Sequence, residues 1–144
     1  MSKAVRYFSR SGNTKTIAEA IADGAGVSAV SITDEPDLKT HVDILYLGGA
    51  PYANIMAPEL REYAEKLDKN IVGRVILFTT SNWSRRTVMA LKKILRKKGI
   101  TVADDYFYAH MLHIKGRAEA TRDFGEGYFH DQYHTQQDLY NVDV

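Results

Sequence analysis

At 144 residues, 44% hydrophobic and 26% charged, the chain has the size and composition of one soluble globular domain with a substantial core. Its net charge of +1 supplies no overall field for nucleic acid or an anionic membrane, and no apolar run approaches the roughly 20 residues that cross a bilayer. The absence of cysteine excludes disulfides, thiolate metal sites and thiol catalysis.

Ala4 to Phe8 reads as a strand, entered without the basic, apolar and small-residue order of a secretory signal, which points to the cytoplasm. The next six residues, Ser9, Arg10, Ser11, Gly12, Asn13 and Thr14, crowd hydroxyl and amide groups before an amphipathic pattern that predicts a helix from Asn13 to about Asp23. Val27 to Ile32 is a second strand and Val42 to Leu47 a third. The intervening "TDEPDLKTH" leaves room for one or two helical turns.

A glycine-rich loop from Gly48 to Asn54 follows. Pro58 then suits a first helical turn, where its missing N–H is no loss. Leu60, Tyr63, Ala64 and Leu67 repeat at helical spacing behind it. Val75 to Phe78 is a fourth strand, and Thr79 to Arg86 a polar loop holding the only tryptophan, Trp83. A helix from about Arg85 to Lys98 buries Val88, Leu91 and Leu95, ends in a basic turn and stops at Gly99. Thr101 to Tyr108 is the fifth and weakest strand.

Strand–helix alternation of this kind predicts a parallel sheet covered by helices on both faces, with right-handed crossovers. The expected architecture is one α/β domain over residues 1–144, a doubly wound five-stranded parallel sheet in the order 2-1-3-4-5. In that order a ligand binds outside the carboxyl ends of the strands, where the winding reverses between the first and third. The loops after the first, third and fourth strands therefore carry the function.

The first loop opens a helix, where unpaired backbone N–H groups favour an anion. Gly12 permits a tight turn, Ser9, Ser11 and Thr14 are donors, and Arg10 adds charge. An ordinary N-cap by Ser11 or Asn13 is the simpler alternative. The loop is neither a Walker A motif nor G-x-G-x-x-G. In the second loop Gly48 and Gly49 let a ligand approach, Pro51 stiffens the turn and Tyr52 offers a flat face. The third adds backbone donors, Asn82 and Trp83. Together they describe a site for a phosphorylated planar molecule, most simply flavin mononucleotide, FMN.

The stretch "FSRSGNTKTIAEAIA" resembles the phosphate loop of flavodoxins. "DILYLGGAPYANIMAPELREYAEKL" and "VGRVILFTTS" resemble the second flavin loop, following helix and fourth strand of small, compact flavodoxin-like proteins. The resemblance covers about residues 3 to 102. It implies FMN, with Ser9 to Thr14 around the phosphate, and Pro51, Tyr52, Ala53 and Asn54 with Thr80, Ser81, Asn82 and Trp83 around the ring. It further implies an electron carrier with an unidentified redox partner protein. An FMN-dependent quinone or flavin reductase, or a partner-binding scaffold with weak or no flavin, are the alternatives. No nicotinamide-binding motif is visible, which favours the carrier. Many flavodoxins are strongly acidic, whereas here Arg85 and Arg86 stand beside the proposed ring and favour its anionic reduced form.

His110, His113, His130 and His134, with Asp131 between the last two, lack the H-E-x-x-H arrangement and are not read as a metal site. No nucleophile elbow is present, so no catalytic residue is assigned. Lys92, Lys93 and Arg96 to Lys98 read as a solvated helix face. Residues 109 to 144 hold at most a short helix around Gln136 to Tyr140, yet carry Phe124, Tyr128, Phe129, Tyr133 and Tyr140. They are expected to form an irregular cap, with packing across a homodimer axis favoured over folding back on their own sheet.

Overall fold

The computed structural model describes residues 1–10, 12–35, 37–52, 55–81, 84–110 and 118–126. Five strands form one parallel sheet: β1 (Lys3–Phe8), β2 (Ala29–Ser31), β3 (Val42–Gly49), β6 (Val72–Ser81) and β7 (Val102–His110). Their order is β2-β1-β3-β6-β7. With the two-residue strands β4 (Pro51–Tyr52) and β5 (Ile55–Met56) set aside as a separate antiparallel hairpin, this is the doubly wound order expected from the sequence.

The strand pattern divides the core between the two faces. Ala4, Phe8, Leu45, Leu47, Val75 and Leu77 are buried in one cluster with Leu60 and Tyr63 of α2 (Pro58–Lys66) and Val88, Leu91 and Leu95 of α3 (Arg86–Lys97). Val5, Tyr7, Tyr46, Ile76, Phe78 and Phe107 belong to the other, with Ile17, Ala18 and Ile21 of α1 (Asn13–Ala25). Adjacent strand residues point to opposite faces, so these alternating runs can feed two layers at once.

Two sequence expectations are corrected. The connection between β2 and β3 has turns and bends but no helix among its described residues. The C-terminal segment contains a nine-residue helix, α4 (Ala118–Glu126), where the sequence reading allowed none. This helix lies on α1. An ideal Cβ at Gly24 of α1 would sit 2.0 Å from the Arg122 carbonyl oxygen, and one at Gly125 of α4 would sit 2.0 Å from that of Ile21. The two glycines let the helix backbones touch, which an apolar stripe of large side chains would prevent.

Phe124 of α4 is fully buried in its own chain. Its ring lies 5.3 Å from Phe107 and 6.0 Å from Tyr46. Burying a phenylalanine of this kind contributes about 1.5–3 kcal/mol. Tyr46 extends this contact by donating its hydroxyl to the carbonyls of Gly125, at 3.2 Å, and Phe124, at 3.4 Å. Phe124 therefore caps its own sheet. Tyr128, Phe129, Tyr133, Tyr140, the Gln136 to Tyr140 helix and His113, His130 and His134 lie outside the described residues.

Candidate functional site at the carboxyl edge of the sheet

β1 and β3 end level with one another, and β6 and β7 run two residues further. Phe8 pairs with Gly49, Gly49 with Thr79, and Thr79 with Tyr108. The loops after β1, β3 and β6 therefore leave the sheet side by side, as the strand order requires. Ser11, Ala53, Asn54, Asn82 and Trp83, all expected in the site, lie outside the described residues.

The first loop is closed from within. Gly12 N–H donates to Ser9 Oγ at 3.0 Å, leaving the Ser9 hydroxyl proton to donate elsewhere. Gly12 has φ +95°, a conformation that a side chain disfavours, and no heavy atom lies within 4 Å of an ideal Cβ there. The space above the turn is open. Gly12 is also the N-cap of α1, and among the described residues no side-chain cap hydrogen bond is made at that helix end. Its C=O is engaged by Thr16, through N–H at 3.0 Å and Oγ1 at 3.1 Å. The N-cap position thus falls to Gly12 rather than Asn13, while Ser11, the other capping candidate, lies outside the described residues; amides of a helix's first turn carry partial positive charge.

Thr14 is placed differently from a simple phosphate donor. It is wholly buried, and its Oγ1 shares a 2.7 Å hydrogen bond with Oγ1 of Thr80, itself 1% exposed. This bond joins the start of α1 to the end of β6. Thr79 makes a parallel tie, donating Oγ1 to the Gly49 carbonyl at 2.7 Å. Both interactions fix the spacing of the loops below the site.

Arg10 and Tyr52 join the first and second loops. The Arg10 N–H donates to the Tyr52 hydroxyl at 2.6 Å. Its guanidinium lies 4.4 Å from the centre of the Tyr52 ring and 3.4 Å from Oε1 of Glu59. Phe8 meets Tyr52 edge-on at 6.3 Å. Tyr52 is therefore held at the loop junction with one ring face under Arg10. Pro51 stands beside it, half-buried and paired with Met56.

Gly48 and Gly49 have a packing role that spacing did not reveal. An ideal Cβ at Gly48 would come 2.3 Å from the Phe78 carbonyl oxygen, and one at Gly49 would come 2.7 Å from the Leu60 side chain. The pair allows β3 to lie against β6 and α2.

In the third loop Arg85 is anchored to β7. Its Nε donates to the Tyr106 hydroxyl at 2.9 Å, and its guanidinium lies 3.8 Å from the Tyr108 ring centre. Arg86 is exposed. The two arginines, alike in sequence, thus differ in place, and the alternation of Tyr106 and Tyr108 along a strand was the signal for the partners of Arg85. Among the described residues no group of three or more potential ligands is placed to hold a metal, and no helix is long and apolar enough to cross a membrane.

Among the described residues, half-open clefts lie away from this edge. Two cavities of about 260 and 340 Å³ share Asp37, Tyr63 and Lys66, beneath the β2–β3 connection. Among the described residues the buried Tyr63 hydroxyl has no hydrogen-bond partner. Burial pushes its pKa, and that of Tyr46, from the ordinary value of 10.0 up to about 12. These cavities bring together side chains of mixed charge, whereas the carboxyl edge presents an open helix N-terminus with converging loops.

The whole chain resembles a flavodoxin from the domain Archaea, with 19% identity over 100% of both chains and a TM-score of 0.74. A flavodoxin, WrbA-like protein from Agrobacterium tumefaciens is 19% identical over 88% of this chain and 94% of its own, with a TM-score of 0.69. The FMN-bound flavodoxin of Fusobacterium nucleatum is 14% identical over 88% of this chain and 96% of its own, with a TM-score of 0.66. At these identities the likeness is one of fold. No curated protein sequence matches the chain. The family described as the flavodoxin domain matches residues 4–108, from the first strand through the fifth, and the chain belongs to the flavodoxin family.

Proposed function

We propose that the protein binds FMN at the carboxyl edge of its sheet and works as an electron carrier. The observation that carries this reading is the start of α1, without a side-chain cap among the described residues and opened by Gly12 at φ +95° soon after the central strand β1. A phosphate monoester fits that position because it is an anion with several acceptors, and the helix start offers amide donors in open space. The family to which the chain belongs points the same way, as does FMN in the Fusobacterium nucleatum flavodoxin.

The site residues then divide by role. Ser9, Arg10, Ser11, Gly12 and Asn13 hold the phosphate, and Thr14 fixes the helix start through Thr80. Pro51, Tyr52, Ala53, Asn54, Ser81, Asn82 and Trp83 border the ring, and Thr80 holds the third loop beneath it. Bound FMN supplies the electron-accepting chemistry. The chain positions it, limits water at its ring and sets the charge around it.

The carrier is favoured over a quinone or flavin reductase because the sequence shows no nicotinamide-binding motif. The expected result is a one-to-one complex with FMN that NADH and NADPH alone do not reduce. A protein that binds riboflavin as tightly as FMN would remove the phosphate assignment. Rapid reduction by NADPH alone would replace the carrier with a reductase. A cytoplasmic location goes with this reading. Self-association through residues 109–144 is a separate proposal resting on their aromatic density, and a light-scattering mass of one chain at high concentration would end it.

A further inference from the structure

Helix α3 carries five cations, Arg86, Lys92, Lys93, Arg96 and Lys97, and no carboxylate. Two of them turn toward β7. Lys92 Nζ donates to the Asp104 carbonyl at 3.1 Å, and Arg96 pairs with the Asp104 carboxylate at 2.8 Å. Arg86, Lys93 and Lys97 are exposed, and among the described residues no carboxylate pairs with them. Their spacing, seven and then four residues, places them along one side of the helix. Met89 lies in the same stripe and is 59% exposed. Ile55, on the hairpin strand that packs against α3, is 58% exposed.

A merely solvated helix looks different, and α2 next to it is one. That helix mixes Glu59, Glu62 and Glu65 with Arg61 and Lys66, and its Lys66 pairs with Glu62 at 2.8 Å. On α3, Lys93 and Lys97 repel one another four residues apart. Arg86 stands at the positive end of the helix, where a carboxylate would be favoured. Two exposed apolar side chains, Met89 in this stripe and Ile55 on the hairpin strand beside α3, accompany the cations, which is the composition of an interaction surface rather than of a solvated one.

We propose that Met89 and Ile55, together with the stripe of Arg86, Lys93 and Lys97, form the docking surface for an acidic protein. The surface reaches the candidate site, because Arg86 opens α3 immediately after the third loop. Its complement is a small protein with an apolar spot beside carboxylates. The reading as a carrier gives this surface its purpose, and the docking itself requires no flavin.

The test uses the full chain, isotope-labelled, against two probes of opposite charge: an acidic plant-type [2Fe–2S] ferredoxin and the basic cytochrome c. The ferredoxin is expected to perturb the amide signals of Ile55, Met89, Lys93 and Lys97. Its affinity should fall by about tenfold or more on raising salt from about 50 to about 500 mM, as screening removes the attraction. Replacing Arg86→Glu, Lys93→Glu and Lys97→Glu together should lower that affinity by about tenfold or more and raise the affinity for cytochrome c. Met89→Ser alone should weaken the complex while leaving its salt dependence unchanged. Ferredoxin binding that survives the triple charge reversal would overturn the proposal, as would a parent protein that prefers cytochrome c at low salt. Each measurement is repeated without and with FMN. Failure to bind FMN overturns the carrier reading alone, whereas normal FMN binding without ferredoxin docking overturns the surface alone.

Discussion

The hydroxyls of Thr14 and Thr80 share a 2.7 Å hydrogen bond inside the protein, 66 residues apart in sequence. The bond ties the first turn of α1 to the end of β6, and neither side chain is open to solvent. Thr14 therefore fixes the position of the helix start. Thr14→Val keeps the shape but strands the Thr80 hydroxyl, which should cost about 1–3 kcal/mol of stability. Denaturant titration measures this loss, and Thr14→Ser should recover much of it.

Ser9 supplies the contrasting case, because its hydroxyl has a proton left to give. Ser9→Ala should weaken FMN by about 2 kcal/mol, the range for a hydrogen bond to a charged acceptor. Riboflavin, without the phosphate, should lose far less. Paired binding titrations settle the point, and an equal loss for the two ligands would remove Ser9 from the phosphate site.

The crossing of α1 and α4 depends on Gly24 and Gly125, each with an opposing carbonyl where a Cβ would stand. Gly24→Ala or Gly125→Ala should force the helices apart and destabilise the protein by more than the propensity gain of about 1 kcal/mol that alanine brings to a helix. Thermal melts check the sign. A rise in melting temperature for either variant would mean that the contact yields easily.

Tyr46 and Tyr63 give an alkaline signature. Burial raises both folded-state pKa values to about 12 from 10.0, so the folded protein favours the neutral phenols. The stability this contributes is fully present below pH 10 and is lost as pH rises from 10 toward 12. Absorbance of tyrosinate should show two phenols that ionise late, together with falling stability across that window. Tyr46→Phe and Tyr63→Phe should each flatten the fall. Tyr46→Phe should also cost about 0.5–1.5 kcal/mol at neutral pH for its hydrogen bond to α4.

Trp83 is the only tryptophan, so its emission reports on the third loop without interference. Adding FMN should quench it, and Trp83→Ala should weaken FMN by roughly 0.5–1.5 kcal/mol beyond the area lost, the scale of an aromatic stack. Emission that does not change through the titration would take Trp83 away from the ring.

Much of this protein was legible in its sequence. The strands at Ala4 to Phe8 and Val42 to Leu47, the helix on Leu60, Tyr63 and Ala64, and the helix on Val88, Leu91 and Leu95 all show in periodicity. Apolar side chains recur there at the spacing of the element that buries them. The hydroxyl–glycine pattern ahead of α1 was equally local, because hydroxyls, glycine and a helix start are consecutive in the chain. These features set the sheet order and the family.

Other features existed only after folding. α4 was invisible because its contact with α1 is made by the backbone at glycines, with Phe124 as its large core anchor, and such contact leaves no apolar repeat. Gly48 and Gly49 looked like a ligand loop, yet the residues that require them, Phe78 and Leu60, come from other elements. Thr14 was one hydroxyl among several in its loop until Thr80 stood opposite it, and Arg85 matched Arg86 until Tyr106 and Tyr108 took its guanidinium. Periodicity and motifs record what a residue needs from its neighbours along the chain. A buried hydroxyl pair, a close helix crossing or a stacked arginine depends on a partner brought by the tertiary fold, and only that partner decides what the residue does.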